Sequence, residues 1–123
     1  MSRLDLGSHA HLETLILSVY KRGLRDVMPT LCSIRSQSFR SLGIIYHMTR
    51  HKWAETLNAL TMIRLDMLLA SPEFAKVRCM TVDIWSFDLE GRSADEWRNA
   101  ILALWPMTAR RKILHVGIKV KQR

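Results

Sequence analysis

The stretch from Trp53 to Leu69, WAETLNALTMIRLDMLL, constrains this chain more than any other. It is strongly apolar and contains neither glycine nor proline, so the remaining residues have to be arranged to bury it. At helical period Trp53, Leu57, Leu60, Ile63, Met67 and Leu68 form one broad stripe, while Glu55, Asn58, Arg64 and Asp66 lie mostly off it. The spacing predicts a central helix. Nothing in it is arranged for chemistry.

The other segments are predicted to pack around that helix. Ser8 can cap a first helix from about His9 to Arg22, with Leu12, Leu15, Ile16 and Val19 as its stripe and Gly23 as its stop. Pro29 suits the first turn of a short second helix carrying Leu31, Cys32 and Ile34. Phe39, Leu42, Ile45, Tyr46, Thr49 and Trp53 return to helical period, giving a further helix that breaks near His51. Ser71-Pro72-Glu73 reads as a helix start, continued by Phe74, Val77, Met80, Ile84 and Phe87 as far as Gly91. The run KVRCMTVDIWSFDL within it is also rich in the β-branched and aromatic residues of strands.

Ser93-Ala94-Asp95-Glu96 is a capping box, in which the serine hydroxyl and the Glu96 carboxylate satisfy each other's backbone amides. The helix it starts carries Trp97, Ala100, Ile101 and Leu104 and ends at Pro106. In the tail, Leu114, Val116, Ile118 and Val120 alternate with His115, Gly117, Lys119 and Lys121, which is strand period. The expected fold is therefore mainly α, a compact bundle of about six helices with a short C-terminal strand, and α+β is the alternative. A single helical domain is expected over 1–123, with residues 1–8 and about 118–123 as disordered ends.

Composition agrees with one folded domain: 48% of residues are hydrophobic and 24% charged, too apolar for disorder, and 123 residues can bury a core without disulfides. No apolar run approaches the ~20 residues of a membrane span, and MSRLDLGSHAH lacks the apolar centre of a secretion signal, so the expected address is cytosol or nucleus. Cys32 and Cys79 sit among apolar neighbours and are expected as buried thiols.

The formal net charge of +8 favours acidic partners. It is unevenly spread. Lys21, Arg22 and Arg25 form one basic group and Arg110, Arg111 and Lys112 another, while Asp83, Asp88, Glu90, Asp95 and Glu96 form an acidic segment. The two basic groups are candidates for an acidic protein face, and Asp88 and Glu90 for a basic one. The same charge supports nucleic-acid binding, of the matrix or silencing-suppressor kind, as the alternative. Against it, Phe74, Trp85, Phe87, Trp97 and Trp105 fall mostly on core stripes and are not interleaved with the cations.

Chemistry has little support. His47 and His51 would stand one turn apart on a helix and could share a metal, but no glutamate follows the first histidine and no third ligand is obvious, with His9, His11 and Cys32 as residues the fold could bring near. Asp95 and Glu96 are accounted for by the helix start. There is no glycine-rich phosphate loop, nucleophile elbow or CxxC pair, so neither an enzyme nor a cofactor is expected.

His11-Leu12-Glu13-Thr14-Leu15-Ile16, Val19-Tyr20, Gly23-Leu24, Thr30-Leu31 and Arg35, followed by Ser41-Leu42, Ile44 or Ile45 and Met48, occur in an order similar to the C-terminal region of the C accessory proteins of paramyxoviruses, the respirovirus type in particular. Seven methionines, four tryptophans and thirteen arginines against six lysines are also a usage found where a gene shares its nucleotides with a second reading frame, as viral accessory genes do. The resemblance implies a non-catalytic helical viral protein acting in the host cytoplasm, nucleus or at the inner membrane surface. It would block interferon signalling by binding STAT transcription factors, restrain the viral polymerase and assist budding through an ESCRT-associated adaptor. It transfers no particular binding residue.

Overall fold

The computed structural model describes residues 11–36, 38–48 and 53–120. The chain is an α/β protein and not a helical bundle: four strands, β1 (Thr14–Val19), β2 (Ser41–His47), β3 (Cys79–Ser86) and β4 (Leu114–Val120), form one sheet in which every neighbouring pair is parallel. The strand order is β1-β2-β3-β4, the order of the sequence. Helices fill the returns. α1 (Leu24–Cys32) follows β1 through a 3₁₀ turn at Lys21–Gly23, α2 (Trp53–Leu60) and α3 (Leu65–Leu68) follow β2, and α4 (Ala94–Leu102) and α5 (Pro106–Arg110) follow β3.

This order determines which face is covered. A crossover between adjacent parallel strands is almost always right-handed, so three successive crossovers advancing in one direction lay their helices on the same face. Burial agrees. Leu42, Ile44 and Tyr46 of β2 and Met80, Val82 and Ile84 of β3 are buried in one cluster with Leu24, Leu31, Leu60, Leu65, Trp97 and Ile101 of the helices. They stand in register with Leu15, Leu17 and Val19 on one side and Leu114, Val116 and Ile118 on the other. The result is a one-sided coil of strand–helix units, the plan of an α/β solenoid and not of a doubly wound sheet.

The helical reading fails at three places for one physical reason. The predicted helices over His9–Arg22, from Phe39 onward and from Phe74 to Phe87 contain β1, β2 and β3. Strands of a parallel sheet can carry near-continuous apolar runs, and in Leu15-Ile16-Leu17 of the edge strand β1 or Leu42 to Tyr46 of the internal strand β2 such a run contains helical spacing by coincidence. In β3 the actual period is two: Met80, Val82 and Ile84 point into the core while Thr81, Asp83 and Trp85 point away. Gly23 precedes α1 where it was expected to end a helix, and Pro29 lies inside α1 and not in the first turn of a later one.

The remaining expectations are closer. The central helix exists but stops at Leu60 and resumes at Leu65. Its break is held from outside, because the Trp105 indole donates to the Ile63 carbonyl and the Asp66 carboxylate accepts from the amides of Met107 (3.0 Å) and Thr108 (2.7 Å) at the start of α5. The capping box is present, with the Ser93 hydroxyl accepting from the Glu96 amide and the Ser93 amide donating to the Glu96 carboxylate. Pro106 stops α4 and also opens α5. The tail is the expected strand, and Ile118, Lys119 and Val120, assigned by the sequence to a disordered end, complete it; residues 1–8 lie outside those described. Cys32 is exposed and Cys79 half-buried, so neither is the buried thiol expected. Among the described residues no helix is long and apolar enough to cross a membrane.

Candidate binding face

The side of the sheet away from the helices carries its own set of side chains, brought into rows by the parallel register. Ile16, Gly43, Thr81 and His115 form one row, and Ser18, Ile45, Asp83 and Gly117 the next. Beyond them, towards the C-terminal ends of the strands, lie His47, Trp85 and Lys119. None of Ile16, Ile45 and Trp85 belongs to the core cluster or to the partly buried residues packed against it.

The last row is a connected platform. Tyr20, just past β1, stacks on the His47 imidazole with ring centroids 4.6 Å apart and planes 19° from parallel. His47 meets the Trp85 ring edge-on at 5.3 Å, and the Lys119 ammonium lies 5.3 Å from the centre of a Trp85 ring. The Ser18 hydroxyl, 2.6 Å from His47 Nε2, fixes the imidazole from the adjoining row. The four side chains thus form a strip of π surface across the four-stranded sheet that ends in a cation.

The middle row holds a carboxylate. Asp83 lies over Gly117, where an added Cβ would fall 2.3 Å from Oδ1, so the glycine provides the room that the carboxylate occupies. Ile16 and Thr81 fill the corresponding space over Gly43, within 3.3 and 3.1 Å of an added Cβ. Asp83 is half-buried and forms no hydrogen bond or ion pair among the described residues. A half-buried carboxylate left without a cation is available to one from outside.

The residues singled out from the sequence are dispersed around this face. Lys21, Arg22 and Arg25 come together on the 3₁₀ turn and the start of α1, beyond the C-terminal end of β1, where they line a shallow hollow with Met62. Arg110 ends α5 and Arg111 and Lys112 follow it into the turn before β4, at the opposite ends of the strands, so the two basic groups do not meet. Asp88 and Glu90 have partners within the fold: Asp88 Oδ1 accepts from the Glu90 amide, and Glu90 Oε2 accepts from the Trp53 amide at 2.6 Å, holding the start of α2. His47 is on a strand and not on a helix, and His51 lies outside the described residues. Among the described residues no three His, Cys, Asp or Glu side chains are grouped to hold a metal.

The Tyr20–His47–Trp85–Lys119 row is the feature that the sequence reading missed. Its signal is the two-residue alternation Thr81, Asp83, Trp85, which assigns Trp85 away from the core stripe once β3 is read as a strand. No protein-family model, curated protein or solved structure matches the chain.

Proposed function

We propose that this chain is a protein-recognition module whose helix-free sheet face binds an extended segment of a partner protein. The single observation that carries this reading is a face of an all-parallel sheet that no helix covers among the described residues, with Ile16, Ser18, His115 and Lys119 exposed on it. Such sheets are nearly always covered on both sides, and where strand–helix units coil in one direction the exposed strands form the binding surface. The chemistry of the face narrows the occupant. An apolar or aromatic side chain fits the Tyr20–His47–Trp85 strip, a basic one fits Asp83, and an acidic one fits Lys119, all three being presented within two adjoining rows. Separation of the basic groups at opposite strand ends supports protein over nucleic acid, which favours a continuous cationic track.

Selection of displayed peptides on the intact protein tests this. Wild type is expected to enrich peptides that fail to bind the Trp85→Ala and Lys119→Glu variants, each first shown to be folded by near-UV circular dichroism. Equal binding to wild type and both variants would dismiss the sheet face as the site.

The resemblance to the paramyxovirus C proteins supplies a narrower form of the same proposal, with STAT proteins, the viral polymerase and a budding adaptor as partners and interferon antagonism as the outcome. It rests on the residues from His11 to Met48, which here run through β1, α1 and β2. Failure to retain STAT proteins in a pull-down, together with intact interferon signalling in expressing cells, would remove the narrower form and leave the general one standing.

A further inference from the structure

On the helix-covered side the surface carries a second feature of different chemistry. α1 places Arg25, Met28 and Cys32 on one side at spacings of three and four residues, Arg25 and Cys32 exposed and Met28 half-buried against the edge of the core, while Leu24, Val27 and Leu31 are buried. Facing that side are the break between α2 and α3, which presents Met62 and Arg64, and Met67 of α3 itself. The two segments are joined where the Arg64 amide donates to Met28 Sδ at 3.3 Å. Between them runs an open hollow with a methionine floor, continuous through Met62 with the hollow lined by Lys21, Arg22 and Arg25.

Three observations define what would occupy it. Met62 and Met67, 46% and 52% exposed, line one hollow together with Met28, and the thioether is the side chain that adapts best to another apolar surface. Lys21, Arg22, Arg25 and Arg64 surround this floor, form no ion pair among the described residues, and no acidic side chain lines either hollow. Finally, the hollow is walled by helices and the turn between them and not by a strand edge, so a partner strand has no ladder to join there.

From this geometry we infer a second docking site, distinct from the sheet face, that takes an acidic amphipathic helix of a partner protein. The helix lays leucine- or phenylalanine-type side chains on Met28, Met62 and Met67 and directs carboxylates to Lys21, Arg22, Arg25 and Arg64. Side-chain packing supplies contact area, and the cations select the sign of the partner's charge.

Methionine-methyl NMR on the intact chain tests this with a synthetic helical peptide of roughly 15 residues, leucine and phenylalanine on one face and glutamate flanking it. The Met28, Met62 and Met67 methyl signals are expected to shift, while that of buried Met80 stays in place. The Arg25→Glu/Arg64→Glu variant, changed only at exposed positions, is expected to bind the peptide roughly tenfold more weakly. The same peptide with lysine for glutamate should leave all four signals unmoved. Absence of shifts with the acidic peptide, or equal shifts with the lysine peptide, would overturn the inference. So would displacement of the acidic peptide by a single-stranded RNA oligonucleotide, which would make these cations a phosphate-binding group instead. Because Trp85 and Lys119 line neither hollow, the Trp85→Ala variant should bind the peptide normally, which separates failure here from failure of the sheet-face reading.

Discussion

The side chains of Asp66 and Tyr46 register the fold in their ionisation, in opposite senses. Burial by itself would raise the pKa of Asp66, but the Thr108 hydroxyl, the amides of Met107 and Thr108 and the charge of Arg110 outweigh it and hold the carboxyl below its ordinary value. A carboxyl depressed in the folded state stabilises above its unfolded pKa and loses that contribution as pH falls through the folded one. Asp66→Asn is therefore expected to be less stable than wild type at neutral pH, with the difference closing as pH drops below the ordinary carboxylate range. Urea unfolding across that range measures it. Tyr46 behaves in the opposite sense: burial pushes its hydroxyl up to about 12 from 10.0, so the neutral form is the one the fold accommodates. Its contribution is intact below pH 10 and is lost as pH rises towards 12. In the Tyr46→Phe variant the fall in stability over that interval should be shallower than in wild type, as read by thermal unfolding at stepped pH.

At the scale of elements, α2 and the strands differ in how plainly the sequence announces them. Leu60 is fully buried at the end of α2 beneath the sheet, so Leu60→Ala should cost about 2–5 kcal/mol, measured by chemical denaturation, because the space it leaves is enclosed on several sides. The stripe containing Leu60, the capping box at Ser93 and Glu96 and the alternation from Leu114 to Val120 were legible because each is a local signal: a period, a pair of caps, a second period. β1 and β2 were not. Their apolar runs are buried or paired through partners 27 positions away, as Thr14 is with Ser41, and nothing within either run distinguishes a parallel strand from a core helix. The Asp66 clamp on α5, which converts one expected helix into two, is equally non-local. Of the candidate sites, the basic group at Lys21, Arg22 and Arg25 could be read as a cluster because its members are neighbours in sequence. The Tyr20–His47–Trp85–Lys119 row could not, since it exists only once four strands lie side by side.

For the whole molecule, the succession of strands in one direction has two consequences. It gathers the helices and the apolar cluster on one side, and it leaves on the other a face whose residues come from every strand and from no single stretch of sequence. The proposed recognition face is thereby kept apart from the core, because Ser18, Asp83, Trp85 and Lys119 lie outside the buried cluster that Leu60, Trp97 and Ile101 close. The most direct test is a backbone-amide NMR map of the intact chain bound to a peptide selected on it. Shifts concentrated at Ser18, Ile45, Asp83, Trp85, His115 and Lys119, alternating along β3 with unmoved Met80, Val82 and Ile84, are the expected result. A map in which these positions stay still while the peptide binds elsewhere would contradict the assignment of the open sheet face as the recognition surface.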